Sequence, residues 1–129
     1  LVRDYYKLID TRSGFKKKLS NSLYISFSGY QKVFSNTCGL VSIKILKKYP
    51  TPQEVISAQK QDIIDILLNS RKGIKWAEKK YDNLVEASEN AQFVSLTSPW
   101  LSVSITTSIA IYEAIDTEIA TLLKRLNVL

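Results

Sequence analysis

The chain of 129 residues contains no histidine and no methionine, one cysteine, four glycines and three prolines. Each scarcity excludes something. Without histidine there is no Ser/His/Asp or Cys/His relay within the chain. Cys38 alone cannot build a His/Cys metal site, and it makes no intramolecular disulfide, which fits a reducing cytoplasm. Few glycines and prolines favour long helices over many turns. With no methionine and Leu1 at the start, the chain is expected to be a piece of a longer protein. A clean membrane-spanning run is lacking too. The most apolar stretch, 101–123, carries Glu113, Asp116 and Glu118, and three acids inside a bilayer would be costly.

What the chain does have is lysine. Eighteen Lys and Arg against twelve Asp and Glu leave a net charge of +6, a balance that suits a polyanionic partner. A solvated lysine-rich surface would produce the same balance. The carboxylates show no metal-site spacing. Asp62 and Asp65, the nearest pair at helical spacing, read as the wet face of a helix, whereas a metal-dependent nuclease needs several acids converging on one point. Most of the thirteen aromatics fall at core-facing positions. Trp76, however, lies among Lys72, Lys75, Lys79 and Lys80. That mixture suits RNA or single-stranded DNA, and it also describes lysine stems lying over a half-buried Trp.

The hydrophobic pattern is helical throughout. Leu1, Tyr5, Leu8, Arg12, Phe15, Leu19 and Ser22 follow 4-3 spacing, a heptad seam interrupted by Arg12, and predict a long helix from 1 to about 24. Gly14 inside it costs roughly 1 kcal/mol of helix propensity. A short helical piece is expected at 31–34. A helix over about 37–48 has so little polar face at Leu40, Val41, Ile43, Ile45 and Leu46 that it should be buried. Lys44, Lys47 and Lys48 suit its C-terminal dipole, and Pro50 ends it. Thr51-Pro52-Gln53-Glu54 is a capping box with proline at the first helical position, opening a short helix. Further helices are expected at about 59–69 and, after Gly73, at about 75–90. Thr97-Ser98-Pro99 should open the last helix, over about 99–127. There Leu101, Ile105, Ser108, Tyr112, Ile115, Ile119, Leu122 and Leu126 form a seam about 40 Å long at 1.5 Å per residue. Together these predict an all-α fold: two long helices paired as an antiparallel coiled-coil hairpin, with a cluster of short helices between them at about 31–90.

Several stretches resemble one family. Arg12-Ser13-Gly14-Phe15-Lys16-Lys17-Lys18-Leu19-Ser20-Asn21-Ser22-Leu23 is similar to the basic helix of the IS one-ten group of insertion-sequence transposases (with IS one-sixteen and IS nine-oh-two). Tyr49-Pro50-Thr51-Pro52 resembles that family's turn after a buried helix. Leu67-Leu68-Asn69-Ser70-Arg71-Lys72-Gly73, followed by Ala77-Glu78-Lys79-Lys80, fits the same order, as does the closing heptad helix. Gly14 departs from the family, which more often has a helix former there. The resemblance spans nearly the whole chain, but only the helical region that joins a RuvC-like nuclease domain to a C-terminal domain with an essential serine. It implies DNA and/or a guide RNA as partners, a homodimer or higher oligomer, no membrane, and a place in the bacterial cytoplasm beside the nucleoid. Divalent metal is expected only in the parent's nuclease domain. No catalytic residue and no metal ligand carries over to this chain.

The candidate nucleic-acid contacts are therefore Arg12, Lys16, Lys17, Lys18, Asn21, Arg71, Lys72, Lys75, Lys79 and Lys80. The candidate helix-packing or dimer residues are Phe15, Leu19, Ile105, Ile109, Ile111, Tyr112, Ile115, Ile119, Leu122, Leu123 and Leu126. Of these, Ile109, Ile111 and Leu123 widen the last helix beyond a two-helix seam, so either the short helices or a second chain must cover them. Two expectations stand side by side: a non-catalytic joining domain that dimerises and contacts nucleic acid, and a stand-alone helical interaction or regulatory module that does not.

Overall fold

The computed structural model describes the backbone of residues 2–97 and 100–128, and side chains over 2–92, 100 and 102–127. Every regular element among them is a helix: α1 (Val2–Ser26), α2 (Tyr30–Val33), α3 (Leu40–Lys48), α4 (Pro52–Ser57), α5 (Lys60–Leu68), α6 (Ile74–Thr97) and α7 (Trp100–Val128). The all-α expectation holds. Three helices are long rather than two, because α6 runs 24 residues, past the expected end at Asn90. Thr97, expected to open the last helix, closes α6 instead. Ser98 and Pro99 of that expected cap, and Leu1 and Leu101 of the two seams, lie outside the described residues or side chains.

Local chemistry explains most boundaries. The Thr51 hydroxyl accepts the Glu54 N–H at 3.3 Å, and Pro52 occupies the start of α4, where its missing N–H costs nothing. At the end of α3 the Tyr49 N–H reaches Ile45 O at 2.7 Å before Pro50 blocks another turn. α3 begins at Leu40, later than expected, because residues 36–39 form a separate turn closed by Gly39 N–H to Asn36 O at 3.0 Å. That late start overturns one expectation: Leu40 belongs to the first turn and points outward, 79% exposed. After α5 the chain reverses at Arg71, whose φ of 65° lies in the left-handed region. Gly73, the residue best suited to that geometry, does not adopt it. α1 passes straight through Gly14, where an added Cβ would meet nothing within 4 Å.

α1 and α7 form the most extensive pairing. Arg12 meets Asp116 at 2.6 Å, and Ser22 meets Ser104 at 3.4 Å, so numbering rises along one helix as it falls along the other. The ion pair accounts for Arg12 at a seam position. The core gathers Leu19 and Leu23 of α1 and Ile105 and Ile109 of α7 with the intervening helices. Ile109 is thus buried within one chain, against the short helices. Ile119 is buried outside that core, by the α1–α7 pairing. Phe15, Ile111, Tyr112, Ile115, Leu122 and Leu126 are half-buried, and Leu123 is exposed. No helix among the described residues is long and apolar enough to cross a membrane.

Tyr30 is the centre of the packing that positions the loop after α2. Its ring lies 5.1 Å from Phe27 and 5.2 Å from Phe34, and it is fully buried. Ser42 Oγ donates to Thr37 O at 2.8 Å. Its single proton being used there, the Tyr30 hydroxyl, 2.7 Å from Ser42 Oγ and 3.0 Å from Ser42 O, acts as the donor to Ser42.

Candidate nucleic-acid interface

The loop from Phe34 to Gly39 is where the two basic segments meet. On one side, Ser13, Lys16, Lys17, Ser20 and Asn21 of α1 form a polar groove with Ser35, Asn36 and Thr37. On the other, Ser35 and Asn36 border a cleft of about 490 Å³ that also contains Lys44, Arg71, Lys72, Trp76 and Lys80. A third depression continues from Trp76 and Lys80 to Lys79 and Asn83. Shared lining residues join the three into one strip, and no Asp or Glu lines any of these three among the described residues; a further depression that meets them at Val33 and Asn83 carries Glu86.

The loop that carries the junction is pinned from several directions. The Ser20 and Thr37 hydroxyls are 3.5 Å apart. Gln31 Nε2 donates to Ser20 O at 2.9 Å. The Lys80 ammonium donates to Val33 O, at the end of α2, where a free carbonyl favours a cation. It also lies 5.5 Å from the Phe34 ring centre and 5.9 Å from that of Trp76. One ammonium thereby lies within cation–π reach of both aromatic rings, with two of its three N–H donors left over.

Of the candidate contacts, Lys16, Lys17, Asn21, Arg71, Lys72, Lys79 and Lys80 all line the strip. Arg12 is turned into its ion pair with Asp116. Lys18 leans over the Phe15 ring at 5.9 Å. Lys75 is exposed but lines none of the three depressions. Lys44 belongs to the strip, although its sequence position suggested only a helix-dipole role. The usable signal was its spacing from Leu40: residues i and i+4 share a helix face, and that face is the outward one.

The chemistry available here is electrostatic. Arg71 alone offers a planar fork for two oxygens, and the lysines are point charges. Arg71 holds its place in a backbone conformation that costs an L-residue roughly 1–2 kcal/mol, and such positions cluster where a ligand is held. Nearby, burial pushes the Cys38 thiol above its usual range, opposed by the charge of Lys16. No group of three or more His, Cys, Asp or Glu among the described residues is placed to hold a metal ion. Asp62 and Asp65 are exposed, with Asp65 taking a 2.7 Å hydrogen bond from Gln61. Compared with protein-family models, curated proteins and solved structures, the chain returns no match.

Proposed function

We propose that this chain is a non-catalytic helical module that binds nucleic acid along the strip centred on Ser35 and Asn36. The observation that carries the reading is the convergence there of Lys16 and Lys17 with Lys44, Arg71, Lys72 and Lys80, with no carboxylate lining the strip. Counterion release makes such binding salt-dependent. If about four phosphates are engaged, the logarithm of affinity for a single strand falls with a slope of about −3 against log salt. Fluorescence anisotropy with a labelled RNA, at rising salt, measures it. Absence of binding at low salt overturns the reading. The setting we propose is the joining region of a transposase of the IS one-ten kind, with α1 and α7 as its antiparallel coiled-coil hairpin. That setting rests on the sequence resemblance, and the parent's nuclease and serine domains would supply the chemistry.

A second reading is self-association. Exposed Tyr24 and Ile25 of α1 lie at the same end of the pairing as exposed Trp100 and Val103 of α7. A second copy of the chain covering that end would bury all four. Sedimentation equilibrium, read together with the anisotropy titration, separates them. A dimer that binds no nucleic acid favours the interaction module, and a monomer at high micromolar concentration removes it.

A further inference from the structure

The cleft beside Trp76 is built differently from the rest of the strip. Its floor is apolar and aromatic, from Val33, Phe34, Val41 and Trp76, while its rim is cationic, from Lys44, Arg71 and Lys72. A surface that only tracked phosphates would need the rim and not the floor. The volume of about 490 Å³ falls within the roughly 300–1,000 Å³ of small-molecule sites. At its mouth stands Leu40, 79% exposed, an aliphatic side chain that an occupant would cover. A duplex keeps its bases in the stack and could offer this cleft only its backbone. A single strand can turn a base out and lay it on an aromatic ring.

We infer that this cleft takes one unstacked nucleotide of a single-stranded nucleic acid, its base against Trp76 and its flanking phosphates on Lys44, Arg71 and Lys72. This rests on the nucleic-acid reading above and adds strand state to it. The Lys80 ammonium, held on Val33 O, lies 5.9 Å from the Trp76 ring centre, and Trp76 is itself half-buried before the base arrives, which lowers the ordering cost of binding. Lysines dominate the rim, so stacking rather than base-edge recognition sets the preference, and RNA and DNA single strands share the site.

The test uses the full chain with Trp100→Phe, which leaves Trp76 as the sole tryptophan. Oligo(U), oligo(dT) and a duplex of matched length, each of about 12 nucleotides to span an ordinary single-strand site, are titrated while Trp76 emission and anisotropy are followed. Both single strands quench Trp76, and the duplex binds without quenching. Quenching by only one of the two assigns the cleft to that type of strand and still supports a single-strand site. Trp76→Ala lowers single-strand affinity about tenfold, as expected for the loss of one stacked base, and lowers duplex affinity far less, while a helical circular-dichroism melt like that of the Trp100→Phe chain shows that the variant folds. Trp76→Phe restores most of the loss. Leu40→Gln, a neutral change on an exposed position that does not threaten the core, weakens single-strand binding more than duplex binding. Single strands that bind without quenching, and without loss in either Trp76→Ala or Leu40→Gln, overturn the cleft and leave the basic strip standing. No binding of any oligonucleotide at low salt overturns both. Equal quenching by an oligoglutamate peptide assigns the cleft to acidic peptide and also overturns the inference.

Discussion

Arg71→Gly should make the protein more stable and a poorer binder at once. Arg71 has a φ of 65° and is exposed, and its side chain makes no ion pair or hydrogen bond among the described residues. The left-handed region costs an L-residue roughly 1–2 kcal/mol, which glycine does not incur. Glycine in turn loses about 0.5–1 kcal/mol through its freer unfolded chain. The difference favours the variant by about 0.5–1 kcal/mol, or about 2–4 °C in melting temperature for a chain of this size. Binding moves the other way. With one phosphate contact removed, affinity for a single strand falls, and the salt slope becomes shallower by about 0.7. Arg71→Lys is the control, because it keeps the charge and the strained backbone and loses only the fork. Thermal melting and anisotropy on the same three proteins read both effects. A lower melting temperature for the glycine variant refutes the strain argument, and unchanged affinity and slope refute the phosphate contact.

Three further substitutions probe the scaffold. Gly14→Ala should stabilise by about 0.5–1 kcal/mol, since an added Cβ meets open space in mid-helix; a denaturant midpoint that does not rise speaks against a continuous α1. Gly29→Ala should destabilise by about 1–3 kcal/mol, because its Cβ would fall 2.8 Å from Ala87 Cβ; Ala87→Gly in the same protein should relieve the clash and restore part of the loss, less the roughly 0.5–1 kcal/mol that glycine costs inside α6. Tyr30→Phe should cost about 1–3 kcal/mol by leaving buried Ser42 without its donor. Burial raises the Tyr30 phenol pKa above its ordinary value, so the folded state favours the neutral form. The stability gained from that is full below about pH 10 and lost above it, and the phenylalanine variant should show a flatter decline in melting temperature there.

Much of the fold was legible because single residues dictate local geometry. Pro50 and Thr51-Pro52 marked one helix end and the next start, and the Phe15–Leu19–Ser22 spacing marked the inner face of α1. What escaped the sequence has specific reasons. α6 continues past Asn90 with Ala91 buried on the same face as Ala87, and alanines carry weak hydrophobic signal while permitting close approach, as at Gly29 and Ala87. Leu40 looked buried by composition, but the separate turn at 36–39 rotates it outward. Gly73 marks the break after α5 in the sequence, and Arg71 is the residue that adopts the left-handed conformation there. For the site, seven of ten candidate contacts line one strip, and no local pattern could have said so. Lys17 and Arg71 are brought near one loop only by the packing of α1, α2 and α6.

That packing bears directly on how the strip would work. A flexible lysine surface must order itself around each ligand, and every immobilised long side chain costs about 0.5–1.5 kcal/mol. Here the backbone beneath the junction is held by Tyr30 to Ser42, Ser42 to Thr37, Ser20 to Thr37 and Lys80 to Val33. Each tie joins a different pair of segments, so Ser35 and Asn36 cannot shift without breaking contacts to α1, α3 or α6. The lysines stay mobile at their tips, while the groove and the aromatic floor between them do not. On the proposed function, a strip of this kind would tolerate any sequence of bases, because its point charges are on flexible stems, and would discriminate by backbone path and strand state, because the loop beneath it is tied to three helices. Loosening the loop, rather than removing any one lysine, should therefore degrade discrimination between single strand and duplex before it degrades affinity.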